Sequence, residues 1–205
     1  RGQLTRRRQR VTEDEAALGE RLEEFGDRLR EGRRRAETWE LSEEGFDAIG
    51  PGLKKTYRRA RKAMDVARED GGAEMLHEWR KRAKYHWYHM RLLRDVWRPV
   101  VETRRSQVKA VSSSLGDDHN LAVLRQTIAE NPEDFDGIRA TQAFLGLIDR
   151  RRAALQAVAY RVGACVFAEK PKHLARRFHR YWEAWRGHIE VPVDEAAELA
   201  AAAES

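Results

Sequence analysis

Sixteen consecutive residues, Trp79 to Arg94, contain no acidic side chain in a protein where acids nearly balance bases. Placed on a helix at about 100° per residue, this stretch and its flanks separate into two opposite faces. Met75, Leu76, Trp79, Ala83, Trp87, Met90, Leu93 and Trp97 form one face, ready to pack. His77, Arg80, Lys81, Lys84, Tyr88 and Arg91 form the other. A cationic strip without interleaved carboxylates repels itself unless an anion lies along it. The pattern therefore requires a helix with one buried side, and it poses the question of what meets the other side.

The remainder of the chain reads as helix too. Charged residues make up 36% and hydrophobic ones 41% of 205 residues, a balance that with Ala, Glu, Arg and Leu in helical periodicity predicts an all-α fold of long helices. A first helix is expected from Leu4 to Arg35, with Val11, Leu18, Leu22, Phe25 and Leu29 as its apolar seam. A linker follows, and Pro51 opens a second helix with its seam on Leu53, Tyr57, Ala60 and Met64, ended by Gly71-Gly72. Pro99 is expected to end or kink the third helix. A fourth is expected to stop at Gly116, and Asp117-Asp118 to cap a fifth that reaches Glu130. Asp136 opens a sixth helix, running to about Ala168, and Pro171 a seventh that stops at Gly187. This divides the chain into residues 1–50, a helix and linker; 51–187, a half-bundle; and 188–205, a flexible Ala-rich tail.

One cysteine, Cys165, allows no internal disulfide and fits a reducing, cytoplasmic setting. No apolar run approaches the ~18 residues that would span a bilayer. The chain opens without Met and in mid-pattern, so we read it as the later part of a longer polypeptide. A net charge of +6 favours anionic partners, and its concentration between Lys54 and Lys109 says more than its size.

One arrangement of bases, at i, i+3, i+4 and i+7, occurs three times: Lys55, Arg58, Arg59, Lys62; His77, Arg80, Lys81, Lys84; and His173, Arg176, Arg177, Arg180. This spacing sets four side chains on one side of a helix, roughly 5–6 Å apart. The fourth helix adds Arg104, Arg105 and Lys109. Ordinary solvated helix faces mix signs and gain from Glu–Lys pairs. Repeated single-sign faces instead suit a phosphate-rich ligand held by charge-assisted bonds.

The segments HEWRKRAKYHWYHMRLL and SSSLGDDHNLAVLR resemble the second half of a CHAD domain, the "conserved histidine α-helical domain". The family's histidine-helix motif falls on His77, Arg80, Lys81, Lys84 and Tyr88, and its LG-x-x-H-[DN]-L turn on Leu115, Gly116, His119, Asn120 and Leu121. The helix with Tyr57, Arg58, Arg59 and Arg61 is similar, as is the closing segment with Ala168, Lys170, Pro171, Tyr181 and Trp182. The resemblance implies paired helical bundles and binding of inorganic polyphosphate on a basic concave surface, with association to polyphosphate granules. On this reading Arg58, Arg59, Arg61, His77, Arg80, Lys81, Lys84, Tyr88, Arg105, Lys109, His119, Arg176 and Arg177 form the binding set. Two departures stand out: Trp87 replaces an arginine frequent in the family, and no first histidine motif precedes Tyr57, so that half is expected to be absent from this chain.

Individual residues divide further. His77 lies on the cationic face and reads as a ligand residue, whereas His86 and His89 point away and read as structural or exposed. Tyr88 can donate to a phosphate oxygen or pack. His119 is placed at a helix N-terminus, where either Asp117 and Asp118 are plain caps or the free N–H groups beside His119 help hold an anion. No metal is expected, since no HExxH occurs and the bases around the single Glu74-x-x-His77 pair disfavour a divalent cation. No cofactor is expected. No Walker loop or nucleophile–base arrangement appears, so the protein reads as a non-enzyme. The alternatives are a nucleic-acid-binding helical module and an accessory domain of a tri- or polyphosphate hydrolase.

Overall fold

A computed structural model describes residues 15–131 and 138–189. Among them the regular structure is helical, as the composition predicts. The chain forms two compact units, divided between Glu43 and Glu44.

The first unit contains α1, Glu15–Glu37. Leu18, Leu22, Phe25 and Leu29 are all exposed along it. Its other faces carry ion pairs one turn apart, Arg28–Glu24 at 2.6 Å and Arg33–Glu37 at 3.1 Å. Leu4 and Val11, placed on the same helix by periodicity, lie outside the described residues, as do Pro132, Asp136 and the segment from Glu190 onward.

The second unit contains α2 (Gly50–Asp70), α3 (Ala73–Leu92), a 3-10 turn (Arg94–Val96), α4 (Arg98–Glu130), α5 (Ile138–Val166) and α6 (Pro171–Ile189). Pro51 sits in the first turn of α2, and Gly71 ends that helix with its N–H on Ala67 O at 2.9 Å. Each neighbouring pair is antiparallel: α2 packs on α3, α3 on α4, α4 on α5, and α6 on α2. Leu53, Tyr57, Trp79, Met90, Phe167 and Phe178 are buried together at the centre, and Phe46, ahead of α2, joins them.

Three boundaries differ from the sequence reading. Pro99 neither ends nor kinks α3; it begins α4, where a missing N–H costs no hydrogen bond. Leu93 caps α3 and is fully buried in the core, whereas Trp97 leaves the apolar face of α3 and is half-exposed, edge-on to Tyr181. The expected fourth and fifth helices are one continuous helix of 33 residues passing through Gly116. A single glycine costs a helix only about 1 kcal/mol relative to alanine, less than packing on two neighbours returns. Asp117 and Asp118 are consequently not caps. Asp118 is buried and accepts from Arg152 Nε at 3.0 Å and Gln156 Nε2 at 2.8 Å across the α4–α5 contact. Gly187 does not stop α6, which continues to Ile189.

Candidate functional site

The cationic strip of α3 runs along its seam with α4. At one end the rings of His77 and His119 lie 4.3 Å apart. One turn on, Arg80 is half-buried against α4, where a Cβ at Gly116 would stand 3.0 Å from its Nε. The Arg80 Nε–H and His77 Nδ1 are both buried without a protein partner. Lys84 follows, exposed, its Nζ 6.0 Å from the Tyr88 ring centroid. Tyr88 is 45% exposed and meets Trp87 edge-on. On the α4 side Arg105 lies over Trp87 at 5.7 Å, and the antiparallel register sets exposed Lys109 level with Lys84 and Tyr88.

Burial, then His119, Lys81 and Arg80, hold the His77 imidazole below its ordinary pKa. His119 is half-buried in the interior of α4, so the free helix-terminal N–H groups expected beside it do not exist. It shares a groove with Glu74, Arg125 and Arg152.

Carboxylates enter the strip from its ends. Glu78, one residue ahead of the acid-free stretch, pairs with both Lys81 and Arg82. Glu102 takes Arg105 at 2.8 Å. The i+3 and i+4 spacing of Glu78 to these bases was visible in the sequence. Arg58, Arg59, Arg80, Lys84, Lys109 and Arg176 have no ion-pair partner among the described residues.

The three quartets do not lie in one groove. Arg59 and Lys62 of α2 line a cleft with Met75, Glu78 and Arg82, along the edge of α3 opposite its seam with α4. Arg58 is exposed on α2. On α6, His173, Arg176, Arg177 and Arg180 line an open groove with Glu169 and Tyr181.

A second cluster gathers bases from three helices. Tyr57 O–H donates to Glu169 O at 2.9 Å and Val166 O at 3.2 Å. Arg61 donates to Glu169 O at 3.3 Å, and Arg104 to Val166 O at 2.8 Å. Arg177 grips the Glu169 carboxylate at 2.6 Å and 3.3 Å. Burial foremost, with repulsion from Arg177, lowers the pKa of Arg104. Burial raises that of Tyr57. Glu169 was missed by the sequence reading, because its partner lies eight residues away across a helix start.

His86 is wholly buried, as a structural histidine would be, against Tyr57 at 5.2 Å and Phe167 at 6.0 Å. Neither ring nitrogen has a partner, and burial holds its pKa well below the ordinary value. His89 donates from Nδ1 to Tyr85 O at 3.0 Å. Among the described residues no three His, Cys, Asp or Glu side chains gather as metal ligands, and no helix is long and apolar enough to cross a membrane.

The family model for the CHAD domain matches residues 1–129, which takes in the α3–α4 seam and ends one residue short of the end of α4. Helices α5 and α6, with the closing segment that resembles the family, lie beyond that match. No curated protein and no solved structure matches the chain.

Proposed function

The chain belongs to the CHAD domain family, and from that premise we propose that it binds inorganic polyphosphate along the α3–α4 seam without catalysing a reaction. The observation that carries this reading is Arg80, seated on Gly116 with its Nε–H unpartnered, in line with Lys84 and Lys109, which have no ion-pair partner either. A phosphate chain supplies acceptors at intervals along that line. Each guanidinium–phosphate contact is charge-assisted and can be bidentate, and each neutralised phosphate releases counterions. Glu78 and Glu102 are engaged by Lys81, Arg82 and Arg105, and Glu74 lines the groove that His77 and His119 share.

Calorimetric titration with polyphosphate of defined lengths at two salt concentrations tests the proposal. Affinity should rise with length and fall with salt, with a slope of about −0.7 per neutralised phosphate if single-stranded nucleic acid is a guide. Arg80→Glu with Lys84→Glu should weaken binding about a hundredfold or more, since two charged hydrogen bonds become repulsions, while circular dichroism keeps its helical signal. Undiminished binding by that variant would remove the seam from the site. Displacement of polyphosphate by RNA at equal phosphate concentration would favour a nucleic-acid ligand. Phosphate release with Mg²⁺ would overturn the non-enzymatic part.

A further inference from the structure

The cluster around the α5–α6 turn has more positive charge than its one acid balances. The Glu169 carboxylate serves Arg177 alone. Arg61 and Arg104 reach only neutral groups, main-chain oxygens and, for Arg104, the Tyr57 side chain as well, and the buried Arg104 Nε has no partner. The groove opening from this point is lined by His173, Arg176, Arg177, Arg180 and Tyr181, and Glu169 is its one acidic lining residue. Arg177 Nη1 also reaches Tyr181 Oη at 3.4 Å, which orders the guanidinium for two-point contact with an oxyanion.

We propose that Glu169 is a built-in plug: its carboxylate occupies the oxyanion position of a phosphate subsite on α6, and a phosphate-class anion displaces it. The inference deepens the polyphosphate reading and rests on it for the polymeric ligand; free pyrophosphate has the same recognition chemistry. A carboxylate has two oxygens and a single charge. A phosphate group has further oxygens for Arg176, Arg180 and the Tyr181 hydroxyl, and more charge to set against three arginines. Glu169 holds its place because it is tethered, competing at an effective concentration on the order of millimolar.

The test is calorimetry on three forms of the chain: wild type, Glu169→Gln, and Glu169→Gln with Arg177→Gln. Glutamine keeps an acceptor for Arg177 and removes the charge, and helicity and melting temperature confirm folding. Glu169→Asp, whose shorter carboxylate withdraws from Arg177, gives a second reading with an intermediate gain. Glu169→Gln should bind pyrophosphate about tenfold more tightly than wild type, and the double variant should lose that gain. A matching gain with long polyphosphate identifies the polymer end as a natural occupant; a gain with pyrophosphate alone identifies the free anion. Unchanged or weaker pyrophosphate binding by Glu169→Gln overturns the plug. If that occurs while wild type binds long polyphosphate through Arg80 and Lys84, the plug fails and the seam stands. If wild type ignores long polyphosphate but the variant gains for pyrophosphate, the seam fails and the plug stands.

Discussion

The guanidinium of Arg80 rests where Gly116 has no side chain, so close that a Cβ there would stand 3.0 Å from Nε. The glycine thus keeps a place for a base of another helix instead of ending its own. Gly116→Ala should therefore separate stability from function. Alanine favours a helix interior by about 1 kcal/mol, so the melting temperature should hold or rise. Arg80 must shift by a few tenths of an ångström, and polyphosphate affinity should fall severalfold. Calorimetry beside a thermal melt checks both; equal affinity in a stabilised variant would show that the seat is not needed.

His77 predicts a pH dependence of binding. Its pKa in the free protein lies below the usual value, through burial and then the cations around it. An anion along the seam reverses the cationic part, so the bound pKa is higher than the free one. Binding then takes up a proton, and affinity should rise as pH falls from about 7.5 towards 5.5. His77→Gln should flatten the profile. Titration in buffers of different ionisation enthalpy measures the proton directly, and zero uptake would contradict this.

His86 predicts the acid limit of the fold. Its folded pKa is depressed by burial, with smaller contributions from Arg104 and His89. Below about pH 6.5 the unfolded chain takes up a proton that the folded chain refuses, so stability falls with pH. The contribution is whole above that value and is lost as pH drops towards the folded pKa. His86→Leu removes both unpartnered nitrogens and should reduce the loss of melting temperature between pH 7 and 5. A slope equal to wild type would assign the acid sensitivity elsewhere.

Much of this architecture was legible from local pattern. Pro51, Gly71 and the 3.6-residue periodicity located α2 and the greater part of α3, because those signals act within one turn of the backbone. Gly116-Asp117-Asp118 misled for the same reason. Locally it has the form of a stop and a cap, but Asp118 answers to Arg152 and Gln156, and Gly116 to Arg80, each more than thirty residues away. The basic quartets share a spacing yet not an edge. Which side of a helix faces which neighbour depends on tertiary packing, and it sets Arg59 towards Arg82 and Arg80 towards Gly116.

The unbroken course of α4 has a consequence for how the second unit opens. Its 33 residues are flanked by α3 on one side and α5 on the other, whereas α6 leans chiefly on α2. Amides at the middle of α4 should exchange with deuterium only through global unfolding, and those of α6 should exchange earlier, through a local detachment that leaves the other helices assembled.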